Sequence, residues 1–222
     1  MIAAGETLLL ESFQHYPLLD VTTLVFFFFC RYFGSVNFTE GWCPGSKAAH
    51  FSQFGSYATV PSLNFTSCDF TIAFWVKSSG SDGPIIAVRS ISGKLFYLAI
   101  KSSILFLSVY NTLEEAHFSK NDWNHIAVIC RHFEMKVFVN GTGRALKKQR
   151  NEYFFLSDRF QHYFIIGNNP DLFKIPLIIQ CFVGTVMDLY MVGKALSVDQ
   201  FSDLFKDNIY QLTLFTLFSD FT

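Results

Sequence analysis

The chain has 222 residues, half of them hydrophobic, and a formal net charge of −1 with its lysines and arginines scattered. This composition is too apolar for a disordered chain, and it lacks the basic face that a nucleic-acid partner requires. No polybasic run supports a membrane-surface role, and the longest apolar run is far shorter than the ~20 residues that cross a bilayer, so we expect no direct membrane insertion. The length suits one large all-β domain with appendages.

Residues 1–40 carry few structural signals, and we interpret them as a poorly defined N-terminal extension. Residues 23–30 form a strongly apolar run that includes four consecutive phenylalanines. The run predicts a buried strand. The alternative is a degraded or truncated secretion signal, because the run has about half the necessary length and no basic leader. A signal peptide is therefore not evident in this chain.

The sequence pattern predicts secondary structure more clearly from residue 41 onward, where short apolar segments recur between turn residues. Regular short strands with turn signals predict an antiparallel sandwich or barrel. The segment 70–77 has apolar residues on both faces, which is typical of a central strand whose outer face is also covered. The predicted strands are 55–61, 70–77, 85–88, 95–100, 104–109, 125–130, 135–139, 163–166 and 182–192.

Three local patterns refine this interpretation. Asn140 and Gly141 tolerate the positive φ of a two-residue hairpin turn and so predict a tight turn between two strands. Ser197 and Gln200 form a capping-box pattern that predicts one helix. An apolar stripe continues this helix and consists of Val198, Phe201, Leu204 and Phe205. We interpret residues 208–222 as a C-terminal tail.

The cysteines and sequons are compatible with a secreted glycoprotein. Five cysteines are widely spaced without a Cys-x-x-Cys pair, which argues against zinc and leaves either disulfides or buried thiols. Asn-x-Ser/Thr triplets begin at Asn37, Asn64 and Asn140. Asn140 is the strongest of these glycosylation candidates, because the predicted hairpin tip would expose it.

The acidic residues do not form a hydrolase pattern. Glycoside hydrolases need two carboxylates flanking the scissile bond, and the chain contains no Glu-x-Asp-x-Glu run. Glu114 and Glu115 are adjacent and predict a solvated loop. Asp188 is isolated in a predicted strand and is interpreted as structural, as is His125. We therefore predict that the chain is not an enzyme and assign no catalytic residue.

Five motifs occur in order at residues 55–61, 70–76, 123–128, 137–141 and 182–190, the last followed by 195–197. In this order they resemble the laminin-G-like and pentraxin-like branch of the concanavalin A-like lectin/glucanase superfamily. The resemblance covers about residues 45–206 and implies a jelly-roll sandwich of two curved antiparallel sheets, so we assign the domain to residues 41–207. Members are mostly extracellular modules that bind glycans, lipids or proteins, and pentraxin-like modules often form rings, so an oligomer is compatible.

The pentraxin resemblance also implies a calcium site. By position, its ligands would be Asp82, Asn169, Asp171 and Gln180. Two carboxylates and two amides are few for a cation that prefers six to eight oxygens, so binding would be weak. The alternative is that residues 168–171 are an ordinary loop with Asx turns.

A pentraxin-type disulfide would join positions that here are Ala73 and Ala127. Cys68 and Cys130 lie on the same two strands, one diagonal step apart if those alanines are opposite each other. Cys181 is an equally good partner for Cys68. The pairing stays open at this point.

The sequence therefore predicts a non-catalytic recognition module that is secreted or part of a larger extracellular protein. The first hypothesis is a lectin-like module that binds glycan or a lipid head group through its loops, with weak calcium dependence and no other cofactor. The second is a protein–protein adhesion module that needs no metal. The third is a relic of a glycoside hydrolase.

Overall fold

The structure is a computed structural model that describes residues 31–42, 45–60, 69–79, 82–89, 95–101, 104–109, 112–131, 134–145, 163–174, 180–197 and 199–200. These residues form two antiparallel sheets of seven strands each. The all-β sandwich predicted from the sequence is therefore confirmed.

The strands are numbered in chain order. Sheet A has the spatial order β1 (Arg31–Phe33), β4 (Tyr57–Val60), β13 (Tyr163–Gly167), β6 (Gly83–Arg89), β7 (Leu95–Lys101), β8 (Ile104–Val109) and β9 (Thr112–His117). Sheet B has the order β12 (Thr142–Ala145), β11 (Glu134–Val139), β10 (Trp123–Arg131), β5 (Phe70–Ser78), β14 (Gly184–Val192), β3 (Lys47–Phe51) and β2 (Val36–Glu40).

Strand β5 illustrates how alternation builds the core. Phe70, Ile72 and Phe74 point between the sheets and are fully buried. Ala73 and Trp75 point to the opposite face and are also buried. A strand that is covered on both faces reads as an almost continuous apolar run, as this segment does.

The register of β5 with β10 places Ala73 opposite Ala127, as the sequence comparison assumed. Cys130 lies in the core opposite Phe70. Neither Cys130 nor Cys181 forms a disulfide bond with a described residue, and their pairings with Cys68 stay predictions. Cys68 itself lies outside the described residues.

Strand β9 corrects the prediction of a solvated loop around Glu114 and Glu115. Both glutamates pair with β8, opposite Leu107 and Phe106. Strand β9 is the last strand of sheet A, and an edge strand tolerates charged side chains. Adjacent glutamates therefore did not exclude a strand here.

Strands β1 and β2 lie within the predicted N-terminal extension 1–40 but belong to the sandwich. Strand β1 adds to sheet A beside β4, and β2 adds to sheet B beside β3. Their short length and mostly exposed side chains explain why no period-2 pattern was visible. The apolar run 23–30, the remainder of the extension and the tail 208–222 lie outside the described residues.

The predicted Asn140–Gly141 turn and the predicted capping box at Ser197 are both confirmed. Asn140 and Gly141 have φ values of 50° and 78° and join β11 to β12 with Val139 opposite Thr142. The backbone N–H of Ser197 donates to Gln200 Oε1 at 3.0 Å, and that of Gln200 donates to Ser197 Oγ at 3.2 Å. The helix thus begins in a formed capping box, and its apolar stripe lies outside the described residues.

The outer faces of the sheets are partly covered by connecting segments. On sheet A, Leu172 of the 3-10 helix Pro170–Lys174 packs among buried residues of β6, β7 and β13. On sheet B, Ala195 and Leu196 pack over Ala73 and its neighbours. Thr71 Oγ1 holds that segment, because it donates to Lys194 O at 2.9 Å and accepts from Leu196 N at 3.0 Å. Among the described helices, none is long and apolar enough to cross a membrane.

Asn168 ties the two sheets together at one end of the sandwich. Its fully buried side-chain amide accepts from Phe182 N at 2.7 Å and donates to Phe182 O at 2.8 Å. Its backbone N–H donates to Ser56 O, and its carbonyl accepts from Gly55 N. Asn168 follows β13 of sheet A, and Phe182 precedes β14 of sheet B. The side chain and backbone of Asn168 together therefore fix the relative position of three loops, which carry Gly55 and Ser56, Asn168, and Phe182.

Replacing Asn168 with Asp is expected to destabilise the fold. The carboxylate could accept from Phe182 N but would face Phe182 O without a proton to donate, and a buried charge is costly. We expect the free energy of unfolding to fall by about 3 kcal/mol in urea denaturation. The matched change Asn37→Asp, at an exposed position of β2, should alter stability by less than about 0.5 kcal/mol. Equal effects of the two changes would contradict this role of Asn168.

Candidate functional site

The loop rim is the end of the sandwich formed by Asp82 and residues 168–171 and 180–183. A Cβ placed on Gly83 would lie 2.1 Å from Phe182 N, so the chain after Asp82 passes directly against the chain after Gln180. The Asn168–Phe182 bonds join the third segment to this contact. The fold therefore brings together the three segments that carry the predicted ligands. Asp171 and Gln180 are exposed and Asp82 is half-buried.

The donor set at the loop rim suits calcium poorly. Asn169 Oδ1 accepts the backbone N–H of Asp171 at 2.8 Å, which is the Asx turn of the alternative interpretation. Among the described residues, no three histidines, cysteines or acids gather into a group that could hold a metal ion. With Asn169 Oδ1 engaged in this turn, the two carboxylates and the Gln180 amide supply at most five side-chain oxygens, fewer than the six to eight that calcium prefers. These four residues alone do not make a strong calcium site.

The tryptophan face is the part of the outer surface of sheet B formed by Ala48, Trp75 and Met187 with Trp42 and Trp123 packed against them. These are all three tryptophans of the chain. Trp75 is buried, whereas Trp42 and Trp123 are each partly exposed. Ala195 and Leu196 belong to a separate cluster around Ala73 and Ala127, so the segment that carries them is not part of the tryptophan face.

The Trp42 side chain covers Trp75 at the centre of the tryptophan face. Its ring stacks on that of Trp75, with centroids 4.6 Å apart and planes inclined by 24°. Its backbone N–H donates to the Met187 sulfur at 3.3 Å. Stacked aromatic pairs of this kind contribute about 1 kcal/mol beyond the area they bury. The loop after β2 is thereby fixed on the face of sheet B.

Asp188 lies beside Trp42 in an irregularity of β14. The register of β14 with β5 shifts between Met187 and Tyr190, and Asp188 adopts a φ of 51°. Burial of the carboxylate raises its pKa, and interaction with the Trp42 side chain opposes that shift. The side chain nevertheless keeps contact with solvent. Asp188 is thus a polar residue at an irregularity of an otherwise apolar strand.

The surroundings of Asp188 do not resemble a glycosidase centre. Hydrolysis of a glycosidic bond needs a second carboxylate about 5–9.5 Å away. On the neighbouring strand β5, the outward positions flanking the irregularity are Ala73 and Trp75. Neither of these residues can act as an acid, base or nucleophile.

His125 lies beside Trp75 on the same outer face of sheet B, because the two residues are opposite each other in the β10–β5 register. It is 2% exposed and its ring lies 5.0 Å from that of Trp75. Its backbone N–H donates to Asn140 Oδ1 at 2.8 Å. Desolvation lowers the pKa of the His125 imidazole from 6.5 to about 4, so the ring is neutral at physiological pH. This is the structural role that the sequence predicted.

The predicted glycosylation sites differ in their surroundings. Asn37 is exposed on β2. Asn140 lies at the exposed hairpin tip, but its amide accepts from His125 N and donates to Asn124 Oδ1 at 3.2 Å. A glycan at Asn140 would have to leave one amide proton for Asn124. Asn64 lies outside the described residues.

A second exposed aromatic patch surrounds the β1–β2 turn. Phe33, Phe38 and Phe54 are 40%, 56% and 62% exposed. Phe33 stacks on Tyr57 with ring centroids 4.6 Å apart. A Cβ on Gly34 would lie 2.4 Å from Gly55 O, so this turn packs against the loop that carries Phe54. We call these three phenylalanines the phenylalanine patch.

The sequence did not predict that Trp42 and Trp75 stack on each other on the outer face of sheet B. Alternation with Phe74 indicated that Trp75 points away from the core. The approach of Trp42 depends on a tertiary contact between the loop after β2 and the centre of sheet B. The local sequence around residue 42 contains no signal for that contact.

The Laminin_G_3 model of the concanavalin A-like lectin/glucanases superfamily matches residues 52–202. No curated protein sequence matches the chain. The family resemblance noted in the sequence is therefore confirmed by an independent comparison.

Solved structures share the fold at low sequence identity. The botulinum neurotoxin serotype G binding domain superposes with a TM-score of 0.60 at 16% identity, covering 81% of this chain and 46% of that one. Domain 4 of AbnA, an arabinanase from Geobacillus stearothermophilus in complex with arabinotriose, gives 0.57 at 17%, covering 77% and 81%. Trypanosoma rangeli sialidase in complex with sialic acid gives 0.56 at 16%, covering 71% and 27%. The chain thus spans less than half of the neurotoxin domain, and these likenesses establish fold alone.

The depressed pKa of His125 predicts loss of stability in acid. In the unfolded chain this imidazole is protonated as the pH falls below about 6.5, whereas in the folded chain it is protonated only near pH 4. Protonation thus favours unfolding, so the contribution of His125 is complete above pH 6.5 and is lost as pH falls towards 4. The loss approaches about 3 kcal/mol, at ~1.4 kcal/mol per pKa unit.

Chemical denaturation at pH 7, 6, 5 and 4 would measure this loss. His125→Gln should flatten the pH dependence relative to the wild type, even if it lowers stability at pH 7. His117→Gln serves as the control, since His117 is exposed. An unchanged slope in His125→Gln would contradict the assignment.

Proposed function

The chain belongs to the Laminin_G_3 family of the concanavalin A-like lectin/glucanases superfamily, and we propose that it is a non-catalytic recognition module that binds glycan through the loop rim. The observation that carries this proposal is the meeting of Asp82, residues 168–171 and residues 180–183 at one end of the sandwich. Sites on loops held by a rigid scaffold are a common solution for binding.

The chemistry of the loop rim suits sugar hydroxyls. Asp171 and Gln180 are exposed side chains that supply carboxylate oxygens and an amide. Carboxylates accept hydrogen bonds from hydroxyls, and an amide both donates and accepts. Asn168 holds the backbone beneath them, so little ordering would be required when a ligand binds.

Two of the solved structures that share the fold support glycan binding in a general way. One of them is a domain of a GH43 arabinanase in complex with arabinotriose, and another is a sialidase in complex with sialic acid. Both ligands, arabinotriose and sialic acid, are carbohydrates. This module would accordingly act outside the cell, as a secreted protein or part of a larger extracellular one, where the sequon at exposed Asn37 could be used.

We expect glycan retention to depend on the loop rim and to survive chelation. On a glycan array, Asp171→Ala and Gln180→Ala should each lower retention of the wild-type ligand by tenfold or more, because both side chains lie exposed on the rim. Arg131→Ala, exposed on β10, is the matched control. Retention should persist in EDTA, since two carboxylates are too few for tight calcium binding.

Two outcomes would change this assignment. Retention that is lost in EDTA, restored by calcium and absent in Asp171→Asn would assign calcium to the loop rim. If neither buffer supports retention of any glycan by the wild type, glycan recognition is wrong.

A protein–protein adhesion module is the second candidate function. The phenylalanine patch favours it, since clustered exposed aromatic side chains mark interaction surfaces. The patch lies on β1, β2 and the turn at Gly55 and requires no metal. Failure of glycan binding together with an intact fold would move the assignment to this alternative.

Hydrolysis should be absent. Incubation of the protein with arabinan and with sialylated glycans should release no reducing ends or free sialic acid, because Asp188 lacks a neighbouring acid on β5. Turnover that disappears in Asp188→Asn would contradict this expectation and establish a glycoside hydrolase. The control is Asp122→Asn, at an exposed turn position.

A further inference from the structure

The strand registers align four side chains across the outer surface of sheet B, next to the loop rim. Trp123 of β10 is opposite Lys77 of β5, Lys77 is opposite Thr185 of β14, and Thr185 is opposite His50 of β3. All four point away from the core, because their neighbours Asn124, Val76, Val186 and Ala49 point inward. We call these four residues the outer row.

The outer row combines an aromatic wall with hydrogen-bonding groups. His50 Nδ1 lies 3.2 Å from Thr185 Oγ1, so these two side chains are already oriented. Trp123 belongs to both the outer row and the tryptophan face. It is partly exposed and packs against the cluster of Ala48, Trp75 and Met187. The C–H groups of a sugar ring carry partial positive charge and favour the negative face of an aromatic ring. Thr185 is 8% exposed and His50 is half-buried, so a saccharide that stacks here meets the His50 imidazole, which Thr185 orients.

Lys77 gives the outer row its charge preference. Its side chain is exposed, and no ion pair with a described residue occupies it. Two acids lie near the row. Asp122 Oδ1 accepts the backbone N–H of Trp123 at 2.8 Å, and Asp188 lies beside Trp42 on the far side of the tryptophan face. The row itself contains no acid, so its one formal charge is positive.

We propose that the outer row, with the tryptophan face as its wall, is a binding site for an acidic saccharide, separate from the loop rim. The ring stacks on Trp123, the carboxylate of the sugar pairs with Lys77, and its hydroxyls bond to His50, whose ring is oriented by Thr185. Charge complementarity selects the acidic sugar over its neutral counterpart.

Matched glycan pairs test this site. The full chain is applied to immobilised 3′-sialyllactose and lactose, and to digalacturonate and galactobiose. We expect the acidic member of at least one pair to be retained at least tenfold more tightly. Retention should weaken as NaCl rises, because exposed charge pairs are screened. Intrinsic tryptophan fluorescence should change on binding, since all three tryptophans lie on this face.

Variants separate this site from the loop rim. Lys77→Gln should abolish the acidic preference and leave the fold intact, because Lys77 is exposed, while Lys77→Arg should keep it. Trp123→Phe should reduce the fluorescence change. Arg131→Ala, exposed on β10 and outside both surfaces, should alter neither. Glycan binding that is lost in Asp171→Ala but unchanged in Lys77→Gln would overturn the outer row and retain the proposed function. Equal retention of the acidic and neutral members of both pairs would also overturn it, and the absence of all glycan binding would reject both proposals.

Discussion

The buried amide of Asn168 is the constraint on which the functional end of the sandwich depends. A carboxamide has a donor and an acceptor side by side, and here both are used on the backbone of one residue, Phe182. Because the backbone of Asn168 also bonds to Gly55 and Ser56, three chain segments are held by one residue. Loops that are fixed in this way can present polar side chains without an ion or a disulfide at their centre.

The central strands of sheet B determine where the two candidate surfaces lie. The end of β5 leads through Ser79 into the loop rim, since Ser79 N donates to Val183 O at 3.1 Å. The last outward residues of the same strand, Trp75 and Lys77, belong to the tryptophan face and the outer row. A glycan bound at the rim and a glycan bound on the face would therefore be close neighbours, which favours recognition of an extended chain over a single sugar.

Sequence predicted those parts of the molecule that follow from local chemistry. The alternation around Phe74, the Asn140–Gly141 turn and the Ser197 capping box were all visible, because each depends on a few adjacent residues. The loop predicted at Glu114 and Glu115 was wrong because a strand at the edge of a sheet tolerates charged side chains. The position of a strand within its sheet cannot be read from the local sequence. The joining of Trp42 to Trp75 was invisible for a related reason: stacking across 33 residues is a property of the whole sheet.

Strand β2 is the outermost strand of sheet B among the described residues, and its side chains are mostly exposed. Such an edge can recruit strands from other molecules and so promote aggregation, especially where an apolar side chain such as Phe38 accompanies it. Glu40 is the only charged residue of the strand. An oligosaccharide attached at Asn37 would be a bulky, soluble shield at the middle of this edge, so the same modification that marks a secreted protein would also keep its molecules apart.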